Sequence, residues 1–149
     1  MLSELGGLKD VRYLLPAEIS AYQVTGQGVT IGIKSGYAWK DLDTTKYGAN
    51  IVVTPERSAS GTLYSISGTI SIPPKQYTND LERQLSRMDA MGAVISYTLA
   101  NGVKMVVGSK SMPVRTAHGL LNSATAPGAS GVRINLSGKS LVPQLPLLE

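Results

Sequence analysis

The side chains able to do chemistry are few in this chain of 149 residues. There is one histidine, His118, and no cysteine. The lack of cysteine removes thiol nucleophiles, disulfides and thiolate metal sites, and one histidine does not make a usual zinc set. His118 lies in AHGLLNSATAPGASG (117–131), which reads as a loop. Beside Ser123 or Ser130 it would have the residue types of a general base and a hydroxyl nucleophile. The simpler expectation is an exposed loop histidine. Asp41-Leu42-Asp43-Thr44-Thr45 fits the D-x-D-x-T pattern, in which one carboxylate attacks phosphorus and the next donates a proton. That chemistry needs a buried parallel strand before the pair, and Gly36 to Lys40 do not read as one. Gly138-Lys139-Ser140 resembles the end of a phosphate-binding loop, but Arg133 stands where that loop needs its first glycine. Gly26-Gln27-Gly28 lacks the third glycine of a dinucleotide fingerprint and reads as a turn. The carboxylates Asp80, Glu82 and Asp89 are explained by helix capping and by pairing at helical spacing with Arg83 and Arg87. The sequence therefore predicts no catalytic residue, no cofactor and no metal, and a protein that is not an enzyme.

The elements themselves are easier to read. EISAYQV (18–24) and VTIGIKS (29–35) are expected strands around Gly26-Gln27-Gly28. GTLYSISGTISI (61–72) alternates, with Tyr64, Ile66, Ile70 and Ile72 on one face and Ser65, Ser67, Thr69 and Ser71 on the other, with Leu63. Gly68 breaks the apolar face and marks a bulge or a close approach. After Pro73-Pro74 a helix is expected over about 78–91, capped by Thr78 or Asn79 and ended by Gly92. Tyr77, Leu81, Leu85 and Met88 draw its single apolar stripe. ISYTLANGVKMVVGS (95–109) predicts a hairpin with a type I′ turn at Asn101-Gly102, apolar on one face and open to a neighbour on the other. VRINLSG (132–138) is a last strand. Residues 1–17 read as an N-terminal arm, 36–60 as a long loop with IVVT (51–54) a candidate short strand, and 141–149 as an apolar C-terminal tail. The expected fold is a single mainly β domain, a β-sandwich or partly open β-barrel with one flanking helix.

Composition adds two facts. Charged residues make up only 16 % of the chain, against about 25 % for an ordinary soluble domain, which suggests surface covered by partners. Charge is also unevenly placed. Residues 1–89 hold equal numbers of acids and bases, whereas 90–148 hold Lys104, Lys110, Arg115, Arg133 and Lys139 and no acid. A one-signed half can face an acidic protein neighbour or nucleic acid. Tyr37, Trp39 and Tyr47 in the long loop have the residue types of a carbohydrate-stacking platform. No run approaches the ~20 apolar residues of a membrane span, so no membrane partner is expected.

Three stretches carry a resemblance: GTLYSISGTISIPP leading into a short helix, VISYTLANGVKMVVGSKSMPVR, and VRINLSGKSLVPQLPLL. In this order they resemble small virion or tail-region proteins of tailed phages and prophages of Bacteroides-type gut bacteria, over roughly residues 61–149. The resemblance implies a structural protein that forms a homo-oligomeric ring, such as a hexamer or dodecamer, at the head–tail junction or tail. Its neighbours would be portal, tail or adjacent-ring proteins, with DNA passing without sequence-specific contact. It would be assembled in the host bacterial cytoplasm and reside in the virion. On this reading the interface draws on Tyr37, Trp39, Tyr47, Arg115, Arg133, Lys139, Leu145, Leu147 and Leu148. The alternatives are a nucleic-acid- or carbohydrate-binding β module and a capsid-associated auxiliary protein.

Overall fold

The computed structural model describes residues 8–42, 49–59, 61–121, 131–141 and 143–148. The strands, in chain order, are β1 (Lys9–Leu14), β2 (Ile19–Thr25), β3 (Gly28–Ile33), β4 (Lys40–Asp41), β5 (Ala49–Ser58), β6 (Gly61–Ile72), β7 (Val94–Thr98), β8 (Lys104–Val107), β9 (Arg115–Leu121), β10 (Gly131–Ser140) and β11 (Leu145–Leu148). A helix, α1 (Asn79–Met91), separates β6 from β7. Seven strands form one sheet in the order β2-β3-β11-β8-β7-β1-β4, and four form a second in the order β5-β6-β10-β9. The seven-stranded sheet curls into a half-barrel, the four-stranded sheet packs beside it, and α1 flanks them. The mainly β architecture with one helix is the one the sequence predicts.

Period-two alternation builds the core. In β1, β7 and β8, Tyr13, Ile95 and Val107 point to one side of the large sheet, while Leu14, Val94 and Val106 point to the other. The first set meets Ile66, Ile70 and Ile72 of β6 and Val132, Ile134 and Leu136 of β10, so the main core lies between the sheets. Leu85 and Met88 of α1 close its open side, and Tyr77 and Leu81 pack against it. Thr78 caps the helix by accepting from the Leu81 N–H, and the Gly92 N–H donates to the Met88 carbonyl. The second set meets Ile19, Val29 and Leu147 inside the curl. The two sheets are stitched where Ala93 and Val114 exchange backbone hydrogen bonds of 2.9 and 2.8 Å.

Several local expectations need correction. The N-terminal arm contains a central strand: β1 pairs with β7 on one side and β4 on the other. A bulge between Lys9 and Arg12, where Asp10 takes φ +51°, breaks the alternation that would have marked it. Within the long loop expected at 36–60, residues 49–58 form strand β5, ten residues beside β6, and Lys40–Asp41 form β4. Pro55 disguised β5, because proline is tolerated on an edge strand. The loop expected over 117–131 begins as β9, paired with β10. The apolar tail is strand β11, antiparallel to β8 and parallel to β3. The hairpin turn is not type I′. The Gly102 N–H donates to the Leu99 carbonyl and the Leu99 N–H to the Val103 carbonyl, so three residues form the loop. Only Gly102 has positive φ, at +90°, and the Asn101 side chain accepts from the Val103 N–H. This is a type I turn closed by a glycine bulge. Nor is the hairpin's second face open to a neighbour, because Val94 and Val106 are buried in the curl.

Gly68 is a close approach rather than a bulge. It pairs in register with Ile51 and Leu136, and a β-carbon there would lie 2.1 Å from the Asn50 carbonyl oxygen. Gly68→Ala must push β5 off β6, and overpacking of this kind costs about 1–3 kcal/mol. Urea denaturation should show that loss, with a much smaller change for Thr69→Ala on the outward face. Equal midpoints for the two variants would contradict the close approach.

Candidate functional site

His118 is the first correction at the site. It is not an exposed loop histidine but sits on edge strand β9, and its side chain is only 12 % exposed. Its Nδ1 lies 2.5 Å from Asp89 Oδ2 and its Nε2 lies 2.7 Å from Glu82 Oε2. Asp89 also accepts from the His118 backbone N–H at 3.2 Å and from Thr116 Oγ1 at 2.6 Å. The helix carboxylates therefore do more than cap: Glu82 and Asp89 clasp α1 onto the free edge of β9, while Asp80 stays in the first turn. Burial opposes the charged ring, but hydrogen bonds and charge from Asp89 and Glu82 outweigh it and raise the pKa above the usual 6.5. With a carboxylate on each nitrogen, the charged form of the ring is favoured and both nitrogens are engaged. Ser123 and Ser130, the expected hydroxyl partners, lie outside the described residues. The signal for the clasp was in the sequence: Glu82 and Asp89 are two helical turns apart, and Thr116 and His118 are alternate strand residues.

The basic residues separate into two groups. Arg115, Arg133 and Lys139 share the outer face of the four-stranded sheet. Arg115 stands beside Ser137, Arg133 beside Ser71 and Gly119, and Lys139 beside Ser65. Lys139 Nζ reaches Glu56 Oε2 at 3.1 Å, an exposed pair. Arg115 and Arg133 are exposed and make no side-chain hydrogen bond or ion pair among the described residues. Lys104 and Lys110 do not join them. Lys110 donates to the Ile19 carbonyl at 2.7 Å, and Lys104 is half-buried with a partner of its own. Next to Arg115 and Lys139 opens a groove of about 1060 Å³, walled by Ser65, Ser67 and Ser137 and by the last turn of α1.

The apolar candidates fall on the opposite side of the molecule. Trp39 is half-buried against the curl of the large sheet, with the Arg12 guanidinium 5.0 Å from its ring. The Trp39 face that a sugar would stack on is thus shared with a cation. Next to it, Lys40 donates to the buried Glu18 carboxylate at 2.5 and 2.6 Å, which also accepts from the Leu15 N–H. This pair fixes β4 and with it Trp39. Tyr37 is 53 % exposed, and Tyr47 lies outside the described residues. Leu145 and Leu147 pack inside the curl and Leu148 is half-buried beside them in β11, so much of the tail's apolar surface is spent within its own chain. Tyr22, Ile31, Ile33, Trp39 and Leu145 remain only partly covered.

The clasp sets a pH dependence. A histidine pKa raised by folding contributes stability that is fully present below about pH 6.5 and lost as pH rises through the raised value. His118→Gln should lower stability by about 1–3 kcal/mol at pH 6, the range for leaving buried partners unsatisfied. That deficit should shrink towards pH 9. Denaturant melts of both proteins across this range check it, and a deficit independent of pH would show that the charge on His118 does not matter. No helix among the described residues is long and apolar enough to cross a membrane. The chain matches no protein-family model, no curated protein and no solved structure.

Proposed function

We propose that this chain is a non-enzymatic structural protein that assembles with copies of itself, as a ring at the head–tail junction or tail of a tailed bacteriophage. The observation that carries the reading is the incompletely covered apolar rim of the half-barrel. Tyr22, Ile31, Ile33, Trp39 and Leu145 pack on the second core but stay partly exposed. Around them stand Val24, 51 % exposed, and Tyr37. Aromatic and aliphatic residues grouped on one side have the composition of a protein–protein interface core. Contact of this rim with a different surface of the next copy is heterologous, and heterologous contacts that close make rings. The locked His118 supports the non-enzymatic part, because the only histidine is committed to holding α1 in place. The order of the three stretches over residues 61–149, with its resemblance to tail-region proteins, supports the phage setting.

Light scattering on the eluting protein and negative-stain images test the proposal. Ring-shaped particles of defined mass are expected. Val24→Lys and Tyr37→Asp, both at exposed positions, should shift the protein towards monomer without lowering its melting temperature. A monomer that persists at high concentration would overturn the ring.

A further inference from the structure

We propose that the outer face of the four-stranded sheet is a contact surface for the phosphate backbone of duplex DNA. Three observations point there. The first is charge placement. Arg115, Arg133 and Lys139, all basic, converge on this face through the register of β9 and β10, and Glu56 is its only acid among the described residues. Arg133 and Lys139 are six residues apart on one strand, a span of about 20 Å at the rise of a β-strand, and Arg115 lies between them on the neighbouring strand. Two of the three cations have no partner among the described residues. The third holds Glu56 in an exposed pair, which is weak and exchangeable.

The second observation is what lies between the charges. Asn50, Ser67, Thr69, Asn135 and Ser137 occupy the neighbouring outward positions. Hydroxyl and amide donors interspersed with arginine and lysine are the side chains that bind phosphate oxygens. The third is what the face lacks. Its described outward positions carry no aromatic residue, so they offer no platform on which single-stranded bases could stack. Among the described residues, Val52 is its one exposed large apolar side chain, with Leu63 partly covered beside Glu56. A protein partner would require an apolar core, and interface cores are depleted in serine and lysine. A rigid duplex, read by charge and backbone alone, fits both properties. Binding is therefore sequence-independent and strongly salt-dependent.

Fluorescence anisotropy with a labelled 30-base-pair duplex of random sequence tests this on the full chain. Three neutralised phosphates give a log–log salt slope of about −2.7, a loss of about 40-fold in affinity between 50 and 200 mM salt. Arg115→Ala/Arg133→Ala should reduce the slope to about −1 and weaken binding at 50 mM salt by at least 10-fold. Lys75→Ala/Arg83→Ala removes the same charge elsewhere and should leave both unchanged. Polyglutamate of equal charge and a single-stranded oligonucleotide serve as competitors, and the duplex should be preferred to each. Absence of binding at 50 mM salt, equal loss in the two double variants, or preference for polyglutamate or the single strand would each overturn the proposal. Particle mass is measured on the same samples. Rings that ignore DNA refute this inference alone, and monomers that bind DNA refute the ring alone.

Discussion

Strand β7 is buried on both faces, and the rest of the molecule is arranged to keep it so. All five of its residues, Val94 to Thr98, are inaccessible, including Ser96 and Thr98. A strand in that position needs a cover on each side. The four-stranded sheet and α1 supply one. The other comes from the sheet itself, which curls until β2 and β3 bring Ile19 and Val29 against Val94. With no phenylalanine in the chain, both cores are filled mainly by Ile, Val and Leu on adjacent strands. Small aliphatic side chains fill space only when backbones come close, which explains the tight contact at Gly68.

Legibility in the sequence followed the number of faces each element buries. β6 and β10 bury one face and expose the other, so their alternation was plain, and α1 carried one stripe and a cap. Elements that depart from this were obscured. β1 mixes an inward Tyr13 with an equally buried Leu14, and a bulge at Asp10 shifts its phase. β5 carries Pro55, Glu56 and Arg57, acceptable because among the described residues no strand lies beyond it. Asn101-Gly102 marks the place of the hairpin turn but not its type, since Asn-Gly fits both a two-residue and a three-residue loop. At the site, individual residues were recognisable and their grouping was not. Arg115, Arg133 and Lys139 meet because of register between β9 and β10, which is tertiary information. His118 seemed unsupported because its partners stand on a helix some thirty residues earlier in the chain.

The two outward surfaces differ in kind. The rim of the half-barrel is aliphatic and aromatic, while the outer face of the four-stranded sheet is hydroxyl-rich and basic. They lie on opposite sides of the sandwich, so occupation of one leaves the other open. α1 belongs to neither. It covers the main core, and through Asp89 it satisfies the N–H group of His118 that the edge of β9 would otherwise leave bare. That edge is thereby closed to further strand pairing.

Strand β11 has a consequence for how the chain reaches this structure. It lies between β3 and β8, and its pairing with β3 is the one parallel pairing among the described residues. Until Leu145 to Leu148 arrive, the hairpins β2–β3 and β7–β8 have no hydrogen-bonded connection through this position. Both hairpins form from local contacts, whereas their union waits for one of the most distant pairings in the chain, Val29 with Leu147. Closing so long a loop is slow relative to hairpin formation. On the ribosome the early strands emerge with their edges unpaired. Closure of the half-barrel therefore depends on a pairing of far longer range than either hairpin it joins.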